Sequence, residues 1–313
     1  MQISEWRIRM KIGAVIVTFN RLELLKICLS KYMEQTRMPD YILVVDNAST
    51  DGTKEYLDEW KEKNQEKVDI VLIHKPSNTG GSGGFYTGMK EAMKLSVDWI
   101  WVSDDDAMPE SDVFEKLENY IKNSNENLAA VCSSVINKGE VDTTHRARRK
   151  KKIFRYKFTE VPASEYAEKD CMEIDTFTYV GSMMNAKKIE KCGYVQEGFF
   201  IWQDDTEHSW RLSETGKIVC LSNAKIHHDV PPIRYSEVSW KKYYGYRNEL
   251  IMIKEHEGKR YYMAKKLILT IKGLLDKNKD HLRIVKAAIK DADNNILGIH
   301  DVYKPGWTSD YQK

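Results

Sequence analysis

The chain has 313 residues, 42% hydrophobic and 31% charged, which is enough apolar material for one large core or one core with a small appended unit. Its net charge of +2 gives no global bias toward nucleic acid, whose binding proteins concentrate basic residues on one face. Five scattered cysteines (Cys28, Cys132, Cys171, Cys192 and Cys220) form no C-x-x-C pair; that argues against a disulfide framework or a zinc site and fits a reducing cytosol.

Residues 1–13 carry charge and lack an apolar core, so they do not read as a secretory signal. No stretch reaches the roughly 18 to 20 apolar residues that span a bilayer. The expected location is the cytoplasm, with any membrane role exercised peripherally at the inner face of the cytoplasmic membrane. The apolar, β-branched run 13–18 predicts a buried strand, and the spacing of Leu22, Leu25, Ile27 and Leu29 predicts a helix over 22–32. A strand over 41–45 ends at Asp46 and a turn-rich segment, followed by a helix over 54–63 and a strand over 69–73. The glycine-rich stretch 78–85 reads as a turn before a helix that runs through Leu95, and a strand follows over 98–102. Such alternation predicts βαβ units and an α/β fold with a mainly parallel sheet.

From about residue 137 the pattern is mixed. A charged loop or hairpin over 137–160 is followed by a strand over 176–180, a helix from Asp205 to Gly216, and a strand over 217–221 leading to His227 and His228. The basic run 145–152 is either a solvated loop or a contact for acidic headgroups or an anionic acceptor. From Val238 the periodicity is helical, which divides the chain into a catalytic part, 1–235, and a helical C-terminal region, 236–313. There Lys241, Lys242, Lys259, Arg260, Lys265 and Lys266 mix with Tyr243, Tyr244, Tyr261, Tyr262 and Leu267. Docking on an anionic membrane, plain packing on the core, and homo-oligomerisation all fit that composition.

Open α/β sheets bind ligands at the carboxyl ends of their strands, and polar residues gather at those ends here. Thr18, Asn20 and Arg21 follow the first strand, Asp46 the second, Asn78 the third, and Asp104, Asp105 and Asp106 the fourth. Three adjacent aspartates repel one another, and a divalent metal shared with a diphosphate offsets that repulsion; the plainer reading is a helix start. Asp46 is placed to accept hydrogen bonds from a base or ribose, or is an ordinary turn residue. The glycines of 78–85, Gly83 among them, allow close backbone approach to an anion at a helix N-terminus, or form a flexible connection. The stretch does not follow the first strand, so it is not a dinucleotide fingerprint. Asp204 and Asp205 open a helix beside Trp202, which suits a general base and an acceptor-facing aromatic; helix capping is the alternative. His227 or His228 could add an imidazole to a carboxylate metal site, a donor set that suits Mn2+.

In this order, Val-Thr-Phe-Asn-Arg, Val-Val-Asp-Asn-Ala-Ser-Thr-Asp-Gly-Thr, Asn-Thr-Gly-Gly-Ser-Gly-Gly-Phe, Asp-Asp-Asp-Ala and Asp-Asp-Thr-Glu resemble the inverting glycosyltransferases of family 2, over about residues 13–248. The resemblance implies a GT-A fold with Thr18, Asn20, Asp46 and Asn78 around the nucleotide. It implies a D-x-D pair of Asp104 and Asp106, and Asp205 as catalytic base. Within the family, the glycine-rich segment, the acidic triplet, the tandem Asp204-Asp205 and Tyr243-Tyr244-Gly245-Tyr246-Arg247-Asn248 look most like bacterial galactofuranosyltransferases, with rhamnosyltransferases next. In the former a histidine completes the metal site, and His228 fits that place best, with His227 as the alternative. Gln203 stands where those enzymes have a tryptophan, and Trp202 lies one place earlier. The implied reaction uses Mn2+ or Mg2+ and moves galactofuranose from UDP-galactofuranose to a glycan or lipid-linked glycan in cell-surface polysaccharide synthesis, such as O-antigen. The alternatives are a rhamnosyltransferase using dTDP-rhamnose and a non-catalytic carbohydrate-binding domain. A sugar-1-phosphate nucleotidyltransferase would need a glycine-rich, basic loop after the first strand, which is missing.

Overall fold

The computed structural model describes residues 9–152, 156–231 and 238–312. The first half alternates as the sequence predicts: β1 (Ile12–Thr18), α1 (Leu22–Met33), β2 (Tyr41–Asp46), α2 (Thr53–Asn64), β3 (Asp69–His74), α3 (Gly80–Lys94) and β4 (Trp99–Asp104). β3, β2, β1 and β4 lie side by side in that order and run parallel. The chain steps outward from β1 to β3 and then crosses back to β4. The carboxyl ends of β1 and β4 therefore flank the point where strand order reverses, the place an open sheet offers a ligand. β1 is buried along its whole length because helices cover both faces. Ile12, Ala14 and Ile16 enter one core cluster, while Val15 and Val17 enter the other.

The elements that follow widen the sheet and add a second, smaller one. They are β5 (Met108–Pro109), α4 (Val113–Asn123), β6 (Leu128–Asn137), β7 (Glu140–Val141), β8 (Arg146–Lys151), β9 (Tyr156–Glu160), α5 (Ala163–Glu168), β10 (Cys171–Ile174), β11 (Thr176–Phe177), β12 (Ser182–Asn185), α6 (Ala186–Cys192), α7 (Asp204–Ser213) and β13 (Lys217–His227). β12 fits antiparallel between β4 and β6, and β13 runs parallel to β6. α4 and β6 have no counterpart in the sequence-based expectations.

Three local expectations change. The glycine-rich stretch is not a turn before a helix: Gly80–Gly84 form the first turns of α3 itself. A Cβ on Gly84 would come within 2.4 Å of Val17 Cγ1, and one on Gly88 within 2.2 Å of Val15 Cγ1, so these glycines let α3 press onto β1. The basic run is mostly strand, not loop. β8 pairs with β9 and β11 in a separate antiparallel sheet, which selects the hairpin from the two readings of 137–160. Arg146 is fully buried and Arg148 forms an ion pair with Glu165, which leaves Lys150, Lys151 and Lys152 exposed. The strand expected over 176–180 stops at Phe177, because the Arg146 guanidinium takes the carbonyls of Thr178, Val180 and Gly181.

α8 (Lys241–His256), α9 (Lys259–Leu275) and α10 (Lys279–Asp293) make the expected C-terminal helical region. The division expected at 235/236 lies outside the described residues. Phe199 and Phe200, just before α7, belong to the apolar clusters of these helices, so the region packs on the segment that leads to Asp204 and Asp205.

Candidate active site

A cleft of about 290 Å³ opens where β1 and β4 end, lined by Thr18, Arg21, Asn47, Asn78, Gly80, Gly81, Asp104, Asp105, Phe200, Trp240 and Lys241 among others. Larger cavities of about 580 and 670 Å³ lie away from these strand ends. Convergent polar chemistry, not size, picks out the smaller one.

The acidic triplet does not start a helix, since the N-cap of the following α4 is Asp112. Its members face different partners. Asp105 is buried and accepts from Thr18 Oγ1 at 2.7 Å and from Arg21 at 3.2 Å, which ties the end of β4 to β1. Asp106 accepts from Arg21 at 2.6 Å through Oδ2. Its Oδ1 lies 3.2 Å from His228 Nε2 without the geometry of a hydrogen bond, and it is buried with no other partner, as is His228 Nδ1. Donor atoms of Asp104, Asp106 and His228 all lie within 4.8 Å of one another. Burial and the neighbouring Asp106 push Asp104 up to about 8. Burial alone would raise Asp106, but His228 and Arg21 outweigh it and lower the carboxyl below its usual range. Burial alone would lower His228, but Asp106 and Asp104 raise it. Two carboxylates and an imidazole with orphaned buried acceptor atoms fit a divalent cation. His227 is directed elsewhere, with Nε2 3.2 Å from Glu110.

The second acidic pair opens α7. Neither aspartate caps it, because the N-cap position is Gln203. Burial raises both carboxyls, Asp204 to about 7 with help from Asp205, and Asp205 to about 6. Asp205 Oδ1 accepts from the Thr206 amide at 2.6 Å and from its hydroxyl at 3.2 Å, which fixes the carboxylate's orientation. The approach to α7 is a strained turn, with Phe200, Trp202 and Gln203 at φ 67, 66 and 68. Arg247 and Asn248 of α8 hold it: Arg247 donates to Gly198 and Phe199, and Asn248 to Phe199, Ile201 and Trp202.

Most of the sequence-predicted site residues converge at this end of the sheet, and some do so in unexpected roles. Thr18, Arg21, Asn78, Asp104 and Asp105 line the cleft. Asn20 is exposed and latches neighbouring turns, donating to Ser49 and accepting from Thr50. Asp46 is buried, and its oxygens accept from the Ser49 amide and face His74 Nδ1 at 3.1 Å, because His74 lies in register with it on β3. Gly83 is buried inside α3 with its carbonyl engaged by Lys75 and Thr87, so Gly80 and Gly81 are the glycines at the cleft. Trp202 packs against α8, where a Cβ on Gly245 would come within 2.9 Å of its ring. Asn47, which with Asp46 ends the second strand in the sequence, anchors Thr79 and Gly80; sequence reasoning missed the pair Trp240 and Lys241 at the cleft. An aromatic beside a lysine just ahead of the tyrosine-rich motif was the available signal.

Comparison with known proteins fits this geometry. Residues 14–193 match the family described as glycosyl transferase family 2. The galactofuranosyltransferase GlfT1 of Mycolicibacterium smegmatis is 27% identical over 250 residues, covering 75% of this chain and 80% of that protein. The mannosyltransferase PcManGT of Pyrobaculum calidifontis, solved with GDP-Man and Mn2+, superimposes with a TM-score of 0.57 at 17% identity, covering 91% of this chain and 76% of that one. S. aureus TarS 1-349 in complex with UDP gives 0.57 at 15% identity, over 92% of this chain and 83% of that one. Against a longer TarS structure, the chain spans 45% of its length. At such identities these structures speak for the fold alone.

Proposed function

The chain belongs to glycosyl transferase family 2 and is a glycosyltransferase, and from that premise we propose that it transfers galactofuranose from UDP-galactofuranose to a hydroxyl of a glycan or lipid-linked glycan, with inversion and with a divalent metal. The observation that carries the reading is the trio of Asp104, Asp106 and His228, with its orphaned donor atoms, beside a nucleotide-sized cleft. The donor choice is supported by the likeness to GlfT1.

The trio would hold the metal, Mn2+ or Mg2+, which when bound supplies charge neutralisation at the departing diphosphate. Arg21 and Lys241 bring two cations to the same cleft, where they favour an anionic donor. Trp240 offers a flat apolar ring there, and Asn47 and Asn78 fix the start of α3. Asp205 is the base. With its pKa raised by burial to about 6, it is largely ionised at neutral pH yet basic enough to accept a proton. As the acceptor oxygen attacks the anomeric carbon, its proton passes to Asp205. The carbon–oxygen bond to the diphosphate breaks on the opposite face, and its electron pair leaves with the nucleotide.

The test is purified protein against a panel of nucleotide sugars, with Mn2+ or with chelator, scoring nucleoside diphosphate release and transfer to galactoside acceptors. Metal-dependent turnover of UDP-galactofuranose is expected. Turnover of dTDP-rhamnose alone would overturn the donor, and full activity in chelator would overturn the metal.

A further inference from the structure

We propose that the outward face of α9 is a docking surface for an anionic phospholipid bilayer, with the helix lying in the plane of the headgroups. α9 packs inward through Tyr262, Leu269 and Gly273, all buried. The opposite side is apolar and uncovered: Met263, Leu267, Ile268, Ile271, Leu274 and Leu275 are 53%, 62%, 46%, 45%, 64% and 79% exposed. At 100° per residue these positions form one continuous charge-free stripe, about 140° wide and a little over three turns long. Cations border it on both sides, with Lys259 and Lys266 along one edge and Lys265 and Lys272 along the other. The helix contains no aspartate or glutamate. Lys265 and Lys266 are held upright by ion pairs to Glu249 and Asp293, while Lys259, Arg260 and Lys272 have no ion-pair partner among the described residues.

That pattern selects the occupant. A second copy of the chain meeting this face across a two-fold axis would bring the same patch onto itself, and would set Lys259, Arg260 and Lys272, which have no ion-pair partner among the described residues, near the other copy's. An anionic bilayer accepts both parts at once, taking the stripe among its acyl chains and the flanking lysines at its phosphates. No helix of the described residues is long and apolar enough to cross a membrane, so the helix would lie on the surface rather than span it. The surface extends past α9. A cavity of about 670 Å³ beside it is shared between Tyr261, Ile268 and Lys272 of the helix and Lys152, Lys157 and Phe158 of the β8–β9 hairpin. Phe158 also lines the small polar pocket that contains Gln203 and Thr206, neighbours of Asp205. Phe158 thus belongs both to the cavity beside α9 and to the pocket next to Asp205.

The experiment is flotation of the full chain with vesicles of phosphatidylglycerol and phosphatidylcholine, and with phosphatidylcholine alone, at low and high salt. Binding to the anionic vesicles is expected, weakened by salt. The double variant Leu267→Asp with Leu274→Asp should lower the bound-to-free ratio at least about tenfold. The triple variant Lys259→Glu, Arg260→Glu, Lys272→Glu should do the same and remove the salt dependence. Both sets lie on the surface, and an unchanged circular dichroism melt verifies their folding. Wild type that stays with the unbound fraction, or an apolar variant that floats like wild type, overturns the proposal. So does a wild-type dimer in sedimentation velocity that the apolar variant splits while vesicles bind neither. None of these readouts depends on the donor sugar, so a failure here is distinct from a failure of the catalytic reading.

Discussion

Asn248→Ala removes the amide that holds the turn in front of α7. Asn248 is fully buried, and its side-chain nitrogen lies 2.9, 3.1 and 2.8 Å from the carbonyls of Phe199, Ile201 and Trp202. An amide has two N–H donors, so three acceptors share two hydrogens, and its Oδ1 also accepts from Arg247 Nε at 3.0 Å, so the loss amounts to three good bonds. At about 1 kcal/mol each, plus about 1 kcal/mol for buried groups left without a partner, the expected destabilisation is about 4 kcal/mol. The turn is also strained: Phe200, Trp202 and Gln203 occupy the left-handed region, at a cost of about 1 kcal/mol or more apiece. Once the clamp is gone the turn relaxes, and α7 moves with Asp204 and Asp205 at its first positions. A displacement near 1 Å at the reacting groups costs about 100-fold in rate. Urea denaturation should show the stability loss, and steady-state kinetics should show kcat down about 100-fold while donor KM stays within about threefold. A variant as stable and as active as wild type would refute the assignment of Asn248 as the clamp.

Three further outcomes follow from the site and the core. Asp205→Asn should lower kcat by about 10² to 10⁴ while leaving donor affinity intact. In wild type the base must be ionised and burial raises it to about 6, so kcat/KM should rise with pH up to that point and level off above it; a profile breaking near 4 would count against Asp205. His228→Ala or Asp106→Asn should weaken Mn2+ binding in the presence of UDP at least about tenfold by calorimetry, whereas His227→Ala, whose ring faces Glu110, should not. Gly88→Ala places a Cβ 2.2 Å from Val15 Cγ1 and should cost about 1–3 kcal/mol in urea denaturation; a neutral result would mean that α3 shifts freely on the sheet.

The first half of the chain was legible because its signals are local. Each of β1 to β4 is a short apolar run ending in a polar residue, and the burial of β1, β2 and β4 in the sheet demands just such runs, while β3 lies half-buried at the edge. What stayed hidden depends on partners far away in the chain. Asp46 was legible as a polar strand end, but not the register that sets His74 beside it. The basic run looked solvated because nothing local reveals that Arg146 is drawn into the core by carbonyls 13 to 35 residues distant. The glycines around Gly83 were visible, but their reason, the close approach of α3 to β1, is a tertiary one. Trp202 shows the same limit: its ring faces Gly245 across the turn rather than the cleft.

The family match ends at residue 193, yet the groups that complete the site come after it. Strand ends in the matching part supply Thr18, Arg21 and the acidic triplet, a surface suited to a nucleotide and its phosphates. The later part adds His228 to that triplet, sets Asp205 on α7, and brings Trp240 and Lys241 to the cleft wall. Arg247 and Asn248 then grip the turn on which α7 depends, and the apolar clusters of α8 and α10 take in Phe199 and Phe200 from the same turn. The C-terminal helices thus act on the chemistry through a chain of direct contacts, from α8 to the strained turn to Asp205. A carboxylate proposed as the base and set behind a strained turn needs a buttress, and here that buttress is the helical region whose outer side α9 presents to solvent.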